Sequence, residues 1–181
     1  MRTMTVKKST GSKWNEGWHT LEISNAKYGD YNGTKFIDVM FKDYPESLNL
    51  RVYAKKGDNG EEFAIGRLFR FANAGIQSVS SSEDGESIVQ IDDSPAQLAG
   101  KKINVFFYKD GEYNSLLGNI APVVFENALE KFEEADVKFW KNRAEKYYKD
   151  YIMNKSAVST GLPNGEIKVV DDLKDVADIP W

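Results

Sequence analysis

The chain has 181 residues, 41% hydrophobic, 29% charged and 13% aromatic, with a net charge of −4, no cysteine and a single histidine. That composition builds a real core and suits one domain with appendages, not a disordered chain. Without cysteine there are no disulfides, Cys-ligated zinc, iron–sulfur clusters or thiol nucleophiles, and His19 alone excludes multi-histidine metal sites.

Residues 1–16 are polar and without period, and are expected to form a flexible basic arm. Alternation then sets in. Residues 20–25 alternate, residues 29–33 cluster turn formers, and residues 35–42 place Ile37, Val39 and Phe41 on one face. After a turn at 43–46, residues 48–55 put Leu48, Leu50, Val52 and Ala54 on a buried face. This is an antiparallel meander of three strands. Residues 62–74 space Phe63, Leu68, Phe71 and Ala72 as a helix does, with Gly75 as its C′ residue. An acidic, Ser-rich region follows to residue 95, with one short strand expected at 87–91. Residues 100–120 form a hairpin about Asp110-Gly111.

Five strands with a helix between the third and fourth is the order of an OB-fold barrel, so the expected class is mainly β with helices (α+β). Closure also removes the edge strands that an open meander exposes. From 124 to 153 apolar residues recur at helical intervals with no Gly or Pro. That predicts a C-terminal helix of about 30 residues, roughly 45 Å long, which bends near Ala135-Asp136 or packs on a second copy of the chain. The domain plan is an arm (1–16), a barrel (17–122), a long helix (123–155) and a flexible acidic tail (156–181).

No apolar run approaches the ~20 residues of a membrane helix. No apolar stretch follows the charges of residues 1–8, so a soluble, cytoplasmic protein without a signal peptide or membrane partner is expected. The charge is unevenly spread. Residues 1–56 hold ten Lys or Arg against six Asp or Glu, whereas residues 166–181 hold five acids against two lysines. A basic front and an acidic end point to a body that binds a polyanion.

If Ile37, Val39 and Phe41 face the core, the opposite face shows Phe36, Asp38, Met40 and Lys42 on one strand. The next strand shows Arg51, Tyr53 and Lys55 there, in the order base, aromatic, base. Such a face suits a single nucleic-acid strand, because bases stack on the ring while cations follow the phosphates. Lys27, Tyr28, Tyr31 and Lys35 extend that chemistry at the first turn. On the fourth strand Ile103, Val105 and Phe107 are core, leaving Phe106 and Tyr108 outward with Lys109 nearby. Phe36 and Phe106 equally suit packing under the long helix, and Trp14 and Trp18 read as packing residues.

The chain ends with a flexible linker, the spaced acids Asp171, Asp172, Asp175 and Asp178, and then Ile179-Pro180-Trp181. This end resembles the acidic tails of bacterial and phage single-stranded DNA-binding proteins, with Trp181 where those carry Phe. An aromatic ring can fill an apolar pocket while its carboxylate meets a basic rim. The strands and helix over residues 17–122 likewise look like small phage OB-fold proteins that coat single-stranded DNA. The resemblance implies sequence-tolerant coating of single strands in replication, recombination and repair. The tail would then recruit a polymerase, helicase or recombinase, and no cofactor is needed.

No Walker A loop, dinucleotide fingerprint or zincin motif occurs, and no catalytic residue or metal site is expected. Asp92-Asp93 and Asp171-Asp172 read as solvated loop acids. Glu166-x-Lys168 matches half of a nuclease site without an acidic strand partner. The alternative to DNA coating is a β-barrel interaction or virion scaffold protein that oligomerises through its long helix. A metal-dependent nuclease is a more distant third.

Overall fold

The computed structural model describes residues 2–6, 12–125 and 129–155. The expected tail, with Asp171, Asp172, Asp175, Asp178, Ile179, Pro180 and Trp181, lies outside them. The described residues form a mostly β structure with two helices. Five strands, β1 (Gly17–Tyr31), β2 (Thr34–Phe41), β3 (Leu50–Tyr53), β6 (Lys102–Asp110) and β7 (Tyr113–Leu116), make one antiparallel sheet in the order β3-β2-β1-β6-β7. β4 (Ile76–Ser81) and β5 (Ser87–Ile91) form a separate two-stranded ribbon, where only the second of them was expected from the sequence. Helix α1 (Ala64–Phe71) sits between β3 and β4, and α2 (Glu134–Tyr147) follows the sheet.

β1 is long because it serves two partners. Its first six residues pair with β6, and from Ile23 onward it pairs with β2, the change falling at a bulge between Ile23 and Asn25. A bulge adds local twist and lets one strand belong to two differently directed ladders. The turn after β1 is only Asn32-Gly33, with φ of 51° and 77°, so the expected turn over 29–33 is corrected. Two positive-φ residues match the twist of flanking strands, which is why Asn-Gly works here. Tyr28 and Tyr31 therefore stand in the strand. In the β6–β7 hairpin Asp110 pairs with Tyr113, so the loop is Gly111-Glu112 and not Asp110-Gly111. Gly111, at φ 62°, takes the position that needs a glycine.

β3 is shorter than the expected 48–55, although Leu48, Leu50 and Val52 are all buried on the face foreseen. The sheet is not closed into a barrel, which corrects the expected closure. β3 and β7 are its two outer strands, and both ladders are four residues long. Past β7, Gly118 approaches the other edge: a Cβ there would lie 4.0 Å from the Arg51 carbonyl oxygen.

Helix α1 plugs the sheet with Ile65, Leu68, Phe69 and Phe71. The Glu62 carboxylate accepts the N–H groups of Ala64 (2.8 Å) and Ile65 (2.9 Å) at its start. At its end Asn73 takes φ 50°, with Asn73 N–H donating to Arg70 C=O and Ala74 N–H to Phe69 C=O. This is a Schellman motif with Asn73 at C′, not Gly75. Gly75 serves a close approach instead, since a Cβ there would lie 2.0 Å from the Asp92 carbonyl oxygen. One core unites these parts, with Ile23, Ile37, Val39, Leu50, Leu68, Phe69, Ile103, Val105 and Phe107 at or near zero exposure. Each such side chain contributes about 1.5–3 kcal/mol by leaving water.

The long helix starts ten residues later than expected. Residues 121–125 run as an extended strap: Ala121 pairs with Asn104, whose Nδ2 donates to Pro122 C=O at 2.8 Å. A capping box then opens α2, the Asp136 carboxylate accepting Glu133 N–H at 2.8 Å. Ala135-Asp136 is thus the helix start and not a bend. A π-helical segment, Tyr148–Met153, continues α2. The helix folds back onto its own chain through Trp140, Ala144 and Tyr148. Among the described residues no helix is long and apolar enough to cross a membrane.

Candidate nucleic-acid interface

Directly opposed residues of neighbouring strands share a face. The registers Lys27–Asp38–Arg51 and Gly29–Phe36–Tyr53 therefore build two cross-strand rows on the outer face of β1, β2 and β3. This face was expected to be open, yet Phe36, Asp38 and Met40 are all buried. Arg51 explains much of it. Its Nε and Nη2 donate to the two Asp38 carboxylate oxygens at 2.7 and 2.8 Å, and its guanidinium lies 3.8 Å from the centre of the Phe36 ring. That bidentate bond, followed by the hydrogen bond to Tyr53, raises the Arg51 pKa further above its usual value. On the other side Phe36 lies across Gly29, where a Cβ would sit 2.3 Å from the ring. Phe36 is therefore a floor and Arg51 its cover. Tyr53 packs edge to face with Phe36 at 5.6 Å and stays 37% exposed.

The other half of the sheet is finished differently. Trp18 and Phe106 meet at 5.4 Å, and the C-terminal helical segment lies over them. Tyr148 packs on Phe106 at 5.2 Å and on Tyr108 at 5.5 Å. Trp18 Nε1–H donates to the Glu145 carboxylate at 2.8 Å. Phe106 is thus a packing residue and not an outward platform. Burial, with Glu16 and Tyr108 nearby, raises the Tyr148 hydroxyl pKa. Trp14 likewise packs, edge-on to Tyr44 at 5.2 Å.

Where the two halves meet the helices, a cleft of about 270 Å³ opens along the edge of β3. It gathers four of the expected residues, Arg51, Tyr53, Lys55 and Tyr108. It adds Phe63, just before α1, Arg67 from α1, and Trp140, Arg143 and Tyr147 from α2. The described lining thus holds four cations, five aromatic rings and no acid. Arg67 stacks over Trp140 at 4.6 Å and over Phe63 at 5.2 Å, distances at which a cation is attracted by a ring face. Burial, then the positive charges of Arg143 and Arg70, push the Arg67 guanidinium down to about 10, against the opposing pull of Glu62. It stays charged at neutral pH.

The remaining expected residues lie outside this cleft. Lys27 and Lys35 are exposed along the β1–β2 hairpin, and Tyr31 is 61% exposed beside its turn. Tyr28 is opposed to Ile37, on the core side, and its hydroxyl donates to Asp93. Burial and Asp93 raise its pKa. Lys109 sits at the β6–β7 hairpin, its N–H donating to Glu16. Asp92 accepts from Ser94 N–H and Oγ and from Gln97, which lowers its pKa and fixes the turn after β5. The residues that sequence reasoning missed are Phe63, Arg67, Trp140, Arg143 and Tyr147. The signal for them was present: Phe63 and Arg67 are four apart, and 140, 143, 144 and 147 share one helix face.

No protein-family model, curated protein or solved structure matches the chain.

Proposed function

We propose that the chain binds single-stranded DNA without sequence preference, coating and protecting exposed strands during phage-type replication and recombination. The observation that carries this is the cleft at the β3 edge, which gathers four cations and five aromatic rings with no acid among the described lining residues. Such a surface holds phosphates and bases together, and each stacked base contributes about 1–3 kcal/mol. Tyr53 and Tyr108 are the stacking platforms, while Lys55 and Arg67 supply the field. Arg51 contributes less net charge than its type suggests, because Asp38 offsets it. Lys27, Tyr31 and Lys35 extend the path along the β1–β2 hairpin.

In this proposal the body is an OB-fold with its β3–β7 side left open for the strand. The double pairing of β1 and the place of α1 between the third and fourth strands of the main sheet support that. The acidic segment 166–181 recruits replication proteins by its charge and apolar residues. Fluorescence anisotropy of labelled oligo-dT tests the proposal, with the full chain and a form ending at Ser156, at low and high salt, against a duplex control. Preferential single-strand binding that weakens with salt, and tightens when the acidic segment is removed, is the expected result. No binding by either form overturns the proposal in favour of an interaction module.

A further inference from the structure

Three arginines meet where α1 faces α2, and they are differently engaged. Arg70 is committed to Glu130, its Nε donating to both carboxylate oxygens at 3.0 and 2.9 Å. Arg143 lies over the Trp140 ring at 5.8 Å. Arg67 has two aromatic neighbours, Trp140 and Phe63, and no carboxylate within ion-pair distance among the described residues. Glu62 is the acid whose charge acts on it, and that carboxylate is occupied by the amides at the start of α1.

A half-buried cation with no carboxylate within ion-pair distance among the described residues is poorly solvated, and an arriving anion relieves that penalty. Its contacts with the Phe63 and Trp140 rings restrict the side chain, so less orientation remains to be lost on binding. A planar fork of N–H donors held in this way matches the oxygens of a phosphate. The cleft volume falls just below the range of small-molecule pockets, which is room for about one nucleotide unit.

We propose that Arg67, walled by Phe63 and Trp140, is a phosphate subsite that anchors one backbone phosphate of a single strand in the seam between α1 and α2. This rests on the proposed DNA binding for the source of the phosphate, and the seam itself is defined by phosphate chemistry alone. It makes the C-terminal helix a wall of the binding site and not only a cover for the sheet.

Two measurements on the full-length protein test it. In the first, the salt dependence of oligo-dT affinity is compared for wild type and Arg67→Gln, with thermal melts to confirm folding. Each phosphate contact on a single strand contributes about 0.7 to the slope of log K against log salt, so R67Q should flatten the slope by about that much. In the second, the indole N–H resonance of Trp140, assigned by its loss in Trp140→Phe, is followed by NMR as dTMP or thymidine is added. A shift with dTMP, none with thymidine, and none in R67Q is the expected result, and the wild-type arm needs no variant to fold. Wild type that binds oligo-dT, with R67Q unchanged in slope and affinity, overturns the subsite and leaves the proposed function standing. Wild type that ignores oligo-dT but shifts Trp140 with dTMP alone overturns the proposed function and assigns the subsite to free nucleotide phosphates. Failure of both probes overturns the two together.

Discussion

The two halves of the five-stranded sheet share β1 and one core, yet their outer faces are treated in opposite ways. On the β6 side the C-terminal helical segment lies over Trp18 and Phe106, with an indole N–H tied to Glu145, while Tyr108, touching Tyr148, lines the cleft. On the β2–β3 side the cover is a single arginine, Arg51, locked to Asp38 above Phe36, and Tyr53 is left part-open beside it. Aromatic residues on an outer strand face thus have two fates. Those under a helix are packing, and those under a charged, half-exposed cover remain at the surface where a ligand can reach them. The difference lies in what the rest of the chain lays across the face, not in the residue types.

The largest expected effects test whether the halves are one unit. Phe41→Ala in the β2 half and Phe107→Ala in the β6 half each remove a fully buried ring, and each should cost about 3–5 kcal/mol. Urea unfolding followed by both tryptophan fluorescence and circular dichroism should show one shared transition in each variant. Separate transitions would divide the sheet into independent halves.

Next come the two outer faces. Tyr53→Ala should weaken oligo-dT binding by about 1–3 kcal/mol while barely moving the unfolding midpoint. Phe106→Ala should do the reverse, losing stability under the helix by about 1–2 kcal/mol, less than a fully buried ring, with unchanged affinity for the folded protein. Anisotropy and denaturation on the same samples check both. If the two variants behave alike, the contrast between covered and open faces is wrong.

Much of the sheet was legible in the sequence because alternation is local. Ile37, Val39, Phe41, Leu50, Val52, Ile103, Val105 and Phe107 fall on the core face as expected. Alternation says nothing about what covers the other face. Phe36 and Asp38 are buried by a residue from another strand and by the absence of a side chain at Gly29, contacts set by register. The start of α2 was misplaced because residues 124–133 lack Gly and Pro, whereas the Glu133–Asp136 box marked the real beginning. The cleft was half legible. Arg51, Tyr53 and Lys55 are neighbours in sequence, but Arg67 and Trp140 join them only through the packing of α2 on α1.

Smaller effects separate charges of the same type by position. Lys55 lines the cleft, so Lys55→Gln should flatten the salt dependence of oligo-dT binding by about 0.7 in slope. Lys109, on the β6–β7 hairpin and outside the cleft, should leave the slope unchanged when replaced in the same way. Equal effects would mean that net charge, and not the path along β3, sets the affinity.

The most direct measurement is ultraviolet cross-linking of an oligo-dT containing 5-iodo-deoxyuridine, with the attached residues identified by mass spectrometry. Aromatic side chains that stack on bases are the ones that react. Adducts on Tyr53, Tyr108 or Trp140 are expected, because these rings line the cleft between β3 and the helices. Adducts confined to rings remote from it, such as Tyr113 or Tyr44, or no adduct at all, would contradict a strand running along the open edge of β3.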